Sequence, residues 1–292
     1  MVSAKNNRPT GDFKNFLAAN KNNTRVLGAL ERHIIAMPED TSRRTDVLHP
    51  SAMVKDDWCH RGSYFQLLGF PPPPSKYAKS MRQYMVFETG HAIHARWQNL
   101  FRDMGKLWGK YKCLECDQIF TGLPSDHDSK LGPEAYEYRE VSLTYEPLRI
   151  AGHSDGLLVG LGEPLMLEIK SIGPGTFRYE APHMTYSTNG HLDQMWKALD
   201  APFQTHVAQV QIYMRLAELL ELEYQPQEAV MLYENKATQE TKEFVVPKSM
   251  FGIKHLFDAA EMICAAVDAK TPPPCNIAGQ EGCQQCKGYA NV

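Results

Sequence analysis

The stretch GHSDGLLVGLGEPLMLEIKS, residues 152–171, predicts a β-hairpin that carries charged residues on otherwise apolar strands. Leu161 and Gly162 stand at the centre of the turn, between two runs of β-forming residues. With this turn, antiparallel pairing sets Asp155 opposite Glu168. The hairpin therefore brings two carboxylates together in the middle of a predicted sheet.

Two further polar residues, His153 and Lys170, are predicted beside these carboxylates. The register also sets His153 opposite Lys170, and Lys170 shares a face with Glu168 because side chains alternate along a strand. Burying two carboxylates and an ammonium among Leu, Met and Ile costs free energy, whereas a hard divalent cation stabilises such a group. The hairpin predicts either a divalent-metal site or, as the alternative, the solvated polar face of an edge hairpin.

Helices and strands are predicted on both sides of the hairpin. Helical periodicity covers residues 13–36, 51–68, 77–104, 203–220 and 248–268, and further β-forming runs cover residues 136–143, 228–234 and 241–246. The stretch after residue 104 and the Gly- and Pro-bearing stretch before residue 203 are typical of loops. This order predicts an α/β fold, a mixed sheet flanked by helices.

Composition limits the classes of function. The 292 residues are 43% hydrophobic, and the net charge is only −3, so a nucleic-acid surface would have to be a local patch. The first residues have no apolar stretch behind their basic residues, and no later segment has the roughly 18 apolar residues of a membrane span. We expect a cytoplasmic protein, in a bacterium or a phage-infected cell, that does not enter a membrane.

The cysteines are grouped as metal ligands would be. In a chain without a secretion signal, seven cysteines do not indicate a disulfide framework. Cys275, Cys283 and Cys286 follow TPPP in a segment with few apolar residues, which a metal could order. Three thiolates leave a four-ligand site incomplete, so a fourth ligand must come from elsewhere in the chain.

A second group resembles half of a zinc ribbon. Cys113 and Cys116 form a CxxC without a second CxxC, and Asp126, His127 and Asp128 can complete a site. A relic or a site completed by a partner protein is the alternative. Cys264, by contrast, lies in a helical pattern and is expected in the core.

Several short motifs around the hairpin together resemble one nuclease family. Asp155 followed by Glu-x-Lys resembles the PD-(D/E)XK nuclease superfamily. The motifs that match its RecB-like and CRISPR-associated exonucleases are the helix SAMVKDDWCHRGSYF with Cys59, G-x-x-x-H at Gly90 and His94, G-x-x-D at Gly152 and Asp155, E-x-K at Glu168 and Lys170, and H-x-x-Q-x-x-x-Y at His206, Gln209 and Tyr213. They come in the family's order between about residues 51 and 286.

The resemblance implies a metal site and a set of catalytic residues. The ligands it implies for one or two Mg²⁺ or Mn²⁺ ions are His94, Asp155, Glu168 and the backbone carbonyl of Ile169. His91, three residues before His94, is an alternative ligand. Lys170 would orient or help to deprotonate a water, and Gln209 and Tyr213, on one helix face, would position the nucleic acid or the metal shell.

The same resemblance implies an iron–sulfur cluster. Cys59 stands where these exonucleases supply one cysteine, and Cys275, Cys283 and Cys286 would complete the ligands of a 4Fe-4S cluster. The C-terminal spacing, C-x7-C-x2-C, departs from the family's usual C-x-x-C, so zinc on the same four thiolates is the alternative.

Taken together, the resemblance implies a phage-type or bacterial DNA exonuclease acting on single strands or DNA ends in recombination, repair or phage DNA processing. A structure-specific endonuclease on the same site and a non-catalytic DNA-end-binding subunit are the alternatives. Helicase or recombination proteins are the expected partners, and a homo-oligomer is left open. The predicted domains are a helical N-terminal extension, residues 1–50, and a nuclease domain, residues 51–292, with an insertion at about 105–130.

A basic and aromatic stretch beside His94 is a candidate path for the nucleic acid. Its members are Arg96, Arg102, Lys106, Lys110 and Lys112, interleaved with Trp97, Phe101, Trp108 and Tyr111. Such residues suit a single strand through phosphate pairing and base stacking. The alternative is a solvated helix face with its apolar side in the core.

Overall fold

The computed structural model describes residue 15 and residues 26–38, 43–70, 80–127, 132–279 and 281–289. The chain divides into two compact units, one of Met1–Thr41 and Ser75–Glu88, the other of Ser42–Pro74 and Thr89–Val292. Among the described residues, no helix has the length and apolar character needed to cross a membrane. The domain boundary at residue 50 stays a prediction.

Ten α-helices are formed by the described residues. They are α1 Leu27–Ala36, α2 Pro50–Met53, α3 His60–Leu67, α4 Met81–Asp103, α5 Pro174–Glu180, α6 Pro182–Ser187, α7 Leu192–Ala198, α8 Gln204–Leu219, α9 Lys254–Asp268 and α10 Gln284–Lys287. Helix α1 belongs to the first unit, and all others except the start of α4 belong to the second.

The second unit contains two β-sheets. The strands are β1 Leu107–Cys113, β2 Ile119–Gly122, β3 Tyr136–Arg139, β4 Val141–Tyr145, β5 Ile150–Ser154, β6 Gly156–Leu158, β7 Leu165–Ile172, β8 Glu228–Asn235 and β9 Thr241–Pro247. Seven of them form one sheet in the order β2-β1-β6-β7-β8-β9, with β3 also paired to β1, while β4 and β5 form a sheet of two strands. All pairs are antiparallel except β7 with β8.

The large sheet is covered on both faces. Met166 and Ile172 of β7 belong to the main core together with Met214 of α8 and Ile263 of α9. Alternate residues of the same strand, Leu167 and Ile169, join Ile93 of α4 and Val230 of β8 in a second cluster. A sheet buried on both faces explains the near-continuous apolar run of β7. The predicted architecture, a mixed sheet flanked by helices with a helical N-terminal region and a Cys-rich C-terminal segment, is confirmed.

The predicted hairpin is right in register and wrong in length. Gly156 faces Leu167 and Leu158 faces Leu165, as the turn at Leu161 and Gly162 requires. Pairing with β7 does not continue before Gly156, because the preceding strand, β5, pairs with β4 instead. His153 therefore faces Ser142 and does not lie opposite Lys170.

Three other predictions of local structure are corrected. The helix expected over residues 51–68 is two helices, because Cys59 is extended and its Sγ caps α3 by accepting the N–H of Gly62. The loop expected after residue 104 contains β1 and β2. The loop expected before residue 203 contains α5, α6 and α7, and the first two begin at Pro174 and Pro182, since proline suits the first turn of a helix.

Two predicted features lie outside the described residues. They are most of the helical pattern before residue 26 and Asp128, one of the residues expected to complete the site of Cys113 and Cys116.

Candidate active site

Asp155 lies at the point where the chain passes from the small sheet to the large one. The β4–β5 ladder ends with Val141 facing Ser154, and the β6–β7 ladder begins with Gly156 facing Leu167. Asp155 is the residue between the two ladders. One step beyond each ladder, its partners would be Glu140 and Glu168, so this junction brings three carboxylates into one neighbourhood.

The Asp155 carboxylate is held in place before any ligand arrives. Its Oδ2 accepts the backbone N–H of Ile169 at 2.5 Å. Its backbone carbonyl accepts the Tyr138 hydroxyl at 3.0 Å and the Gln98 side-chain amide at 3.1 Å. With 7% of its surface exposed, Asp155 is a rigid acceptor at the edge of the core.

His94 reaches this carboxylate from α4. Its Nδ1 lies 3.0 Å from Asp155 Oδ1, and its ring is partly buried. Burial lowers the pKa of His94, but the hydrogen bond to Asp155 and the negative charges of Asp155 and Glu168 together outweigh it, so the pKa is raised. His91, the alternative ligand, is exposed on the same helix. The structure thus places His94 at Asp155.

Glu140 was missed by the sequence analysis. Single carboxylate oxygens of Glu140 and Asp155 and a ring nitrogen of His94 all lie within 4.8 Å of one another. Burial raises the pKa of Glu140, and the nearby Asp155 raises it further. In the sequence, Glu140 stands inside one β-forming run, and the only signal that could have found it is the antiparallel register of β4 with β5.

Glu168 and Lys170 form an ion pair beside this group. Lys170 Nζ lies 2.7 Å from Glu168 Oε1, and Glu168 is 2% exposed. Burial raises the pKa of Glu168, and Lys170 opposes the rise. Conversely, Glu168 holds the pKa of Lys170 above its ordinary value against the effect of burial. A cationic Lys170 is therefore fixed next to an acid that gains a proton more readily than usual.

Helix α8 extends this pair into a hydrogen-bonded chain. Lys170 Nζ donates to Gln209 Oε1 at 3.1 Å, and Gln209 Nε2 donates to the Tyr213 hydroxyl at 2.9 Å. Burial raises the pKa of Tyr213, so its hydroxyl stays protonated and can donate in turn. The ring passes so close to Gly152 that a Cβ there would lie 2.9 Å from Tyr213 Cε1. Gly152 of the G-x-x-D motif is thus required by packing.

His206 does not join this chain. Its Nδ1 lies 2.6 Å from the Tyr233 hydroxyl, and its ring packs edge-on against Phe203. Burial, reinforced by Lys170, keeps the pKa of His206 well below its ordinary value. His206 is a neutral packing residue on the helix that presents Gln209.

Two cavities open along the small sheet, and one of them reaches Glu140. One, of about 500 Å³, is lined by Gln98, Lys110, Tyr138, Arg139, Glu140, Ser142 and His153. The other, of about 550 Å³, is lined by Arg43, Arg44, His49, Pro50, Ser51, Ser142, Thr144, Ala151, Gly152, His153 and Tyr213. Both carry basic side chains, and both contain Ser142 and His153. The first cavity therefore places basic side chains next to Glu140, and the second places them next to Tyr213.

Several residues of the predicted nucleic-acid path along α4 and β1 are buried or already form ion pairs. Trp108 and Tyr111 are buried in the core, so they cannot stack on bases. Arg102 pairs with Asp103 at 2.8 Å, and Arg96 pairs with the buried Glu234. Lys110 is the member of the set that lines the cavity beside Glu140. Trp108 and Tyr111 are lost as stacking residues because they lie on opposite faces of β1 and each packs in a core cluster.

Four cysteines, one early and three late in the sequence, meet in a second group. Ligand atoms of Cys59, Cys275, Cys283 and Cys286 all lie within 4.8 Å of one another. The Sγ atoms of Cys59 and Cys275 are 3.8 Å apart, and those of Cys283 and Cys286 are 3.9 Å apart. Four thiols in one group fit a metal bound by four thiolates. Cys264 is buried in α9 and belongs to the apolar core there, as predicted.

Comparisons with known proteins add little. No family model and no curated protein matches the chain. Among solved structures, that of SSO0001 is 10% identical, with a TM-score of 0.35 over 96% of each chain. The structure of LHK-Exo in complex with dAMP is 12% identical, with a TM-score of 0.42 over 78% of this chain and 90% of that chain.

Proposed function

We propose that the protein is a metal-dependent DNA exonuclease of the PD-(D/E)XK type, with its active site at Asp155. The observation that carries this proposal is the junction itself. Two ladders and α4 converge on one rigid carboxylate, and Glu140 and His94 offer further ligand atoms within 4.8 Å. Oxygen ligands with one imidazole suit Mg²⁺ or Mn²⁺.

The residues fit such an ion. Asp155, Glu140 and His94 would hold it, with Glu168 and the carbonyl of Ile169 as further ligands implied by the family resemblance. When bound, a divalent cation makes a water more acidic and offsets charge that develops on a phosphate. This chemistry is the reason to propose phosphodiester hydrolysis.

The chain's own residues supply orientation and proton control. Lys170, held between Glu168 and Gln209, can donate to a water or to a phosphate oxygen at the edge of the site. Tyr213, whose hydroxyl is fixed by Gln209, lines the more basic of the two cavities and can donate to a phosphate. Ile169 N–H keeps the Asp155 carboxylate in one orientation. Positioned acids, a lysine and a tyrosine favour catalysis over simple binding of a DNA end.

End-labelled DNA tests the proposal. Purified protein with Mn²⁺ or Mg²⁺ should release mononucleotides or short products from linear single-stranded or duplex DNA and leave closed circular DNA intact. Cleavage of circular DNA would establish the endonuclease alternative, and binding of ends without cleavage would establish the non-catalytic alternative.

A matched pair of variants ties the activity to the site. Asp155→Asn removes one charge at the junction, and Asp200→Asn removes one charge from an exposed aspartate of the same unit. Cleavage should disappear in the first variant and persist in the second. Equal activity in the two variants would show that the nuclease site is elsewhere or that the activity is a contaminant.

The proposed substrate, setting and partners follow from the family resemblance. Single strands or DNA ends are the substrates we propose, with recombination, repair or phage DNA processing as the setting and helicase or recombination proteins as partners. For the four cysteines we propose a 4Fe-4S cluster, with zinc as the alternative on the same thiolates. Visible absorption and metal analysis of protein purified without oxygen distinguish the two metals.

A further inference from the structure

The chain has a second sulfur-containing group, in the connection between β1 and β2. Cys113 is the last residue of β1, and Cys116 lies in the turn that follows. The next residue, Asp117, has φ +58°, which reverses the chain so that Cys113 N–H can donate to the Gln118 carbonyl at 2.9 Å. The turn is therefore closed by the backbone and presents both thiols to one side.

A histidine completes the group from the other side of β2. His127 Nε2 lies 3.4 Å from Cys116 Sγ, and one atom each of Cys113, Cys116 and His127 lie within 4.8 Å of one another. The imidazole is stacked on Phe120 at 4.9 Å between ring centroids, and the His127 carbonyl accepts the Tyr136 hydroxyl at 2.8 Å. Packing thus fixes the imidazole without the help of a metal.

The neighbouring acids are engaged elsewhere. Asp126 Oδ2 accepts the N–H of Leu123 at 2.6 Å, and Asp117 pairs with Lys112 at 2.7 Å. Two thiolates and one imidazole are therefore the ligands that the described part of this turn offers.

We infer that Cys113, Cys116 and His127 bind one Zn²⁺ ion, at a site separate from both the Asp155 junction and the four-cysteine group. Two sulfur ligands and one nitrogen ligand suit zinc, which prefers four ligands in a tetrahedral arrangement. Water fills the fourth position in the isolated chain. This inference does not depend on the proposed nuclease activity.

The ion would tie the outer edge of the large sheet. Strand β2 is the edge strand and pairs only with β1 in the described sheet, and its side chains are largely exposed. A bound ion joins the end of β1 to the segment after β2, so β2 is held at both ends.

Zinc analysis of full-length protein tests the site. The protein is dialysed against a weak chelator, and zinc and iron per chain are measured for wild type, Cys116→Ser, His127→Phe and the control Cys264→Ser. The phenylalanine keeps a ring on Phe120 and removes the ligand nitrogen. We expect each of the first two variants to lose one zinc per chain relative to wild type, and the control to lose none.

Hydrogen exchange supplies a second measurement on the same proteins. Loss of the ion should increase exchange within residues 113–127 and leave the strands β7 and β8 protected, which separates a local effect from unfolding. The inference is overturned if wild type and Cys116→Ser hold equal zinc, if His127→Phe retains the zinc that Cys116→Ser loses, or if the lost metal is iron.

Discussion

The Asp155 junction and the four-cysteine group both join residues from different parts of the chain, but they are built in opposite ways. The junction is assembled by strand registers and is already hydrogen-bonded, with Asp155 fixed by Ile169 and His94. The cysteine group joins Cys59 to Cys275, 216 residues later, through a segment with little apolar content. We therefore expect the Asp155 junction, which the fold positions by itself, to contribute to catalysis. We expect the four-cysteine group, which links distant segments, to contribute to stability.

Asp155→Asn should abolish DNA cleavage and leave the fold intact. The amide oxygen can still accept the Ile169 N–H, so the variant loses the charge and keeps the shape. Loss of a metal ligand removes several kcal/mol of transition-state stabilisation, which corresponds to a rate lower by about 10³-fold or more. Initial rates on end-labelled DNA measure cleavage, and thermal unfolding measures whether the fold is kept. A large fall in melting temperature would show that Asp155 stabilises the fold instead.

Cys59→Ser should show the reverse pattern of effects. Losing a link across so long a loop should lower the free energy of unfolding by about 3–5 kcal/mol, by analogy with other cross-links. Metal bound by the four cysteines should be lost with it. Cys264→Ser, which also changes a buried thiol, is the control. Unchanged metal content and melting temperature in Cys59→Ser would show that the four cysteines do not link the two segments through a metal.

Much of the fold could be predicted from sequence, because register follows from local pattern. The turn at Leu161 and Gly162 gave the pairing of β6 with β7, and the motif gave Asp155 and Glu168. Glu140 could not be predicted, since its place depends on where β5 leaves one sheet for another. The joining of Cys59 to the three C-terminal cysteines could be predicted only from a family resemblance, because nothing in the local sequence around Cys59 indicates its distant partners.

The pH dependence of stability should report the buried Glu168. Its pKa is raised in the folded protein, so the unfolded chain loses its proton first and the folded state becomes less stable as pH increases from about 4.5 to about 7. In chelator, the fall should be about 1–3 kcal/mol. Glu168→Gln should flatten part of this slope, and the raised pKa of Glu140 leaves the remainder, to which the raised pKa of His94 adds only above about 6.5. Chemical unfolding at several pH values measures the free energy of unfolding. An unchanged pH dependence in Glu168→Gln would contradict the claim that burial raises the pKa of Glu168.

Tyr213→Phe should have the smallest effect. The hydroxyl accepts from Gln209 and positions substrate without holding the ion, so cleavage should fall by about tenfold or less. Removal of the hydroxyl leaves Gln209 without one partner, which predicts a small loss of stability as well. Steady-state rates compared with those of Asp155→Asn test the ranking, and equal losses would make Tyr213 a member of the catalytic centre.

Anomalous X-ray scattering from crystals soaked in Mn²⁺ tests the central claim most directly, because it locates the ion without relying on activity. We predict a manganese peak at the junction, within coordinating distance of Asp155 and of Glu140 or His94. In Asp155→Asn crystals soaked in the same way the peak should be absent. A wild-type crystal with no peak at Asp155, or with manganese bound at another site alone, would contradict the account.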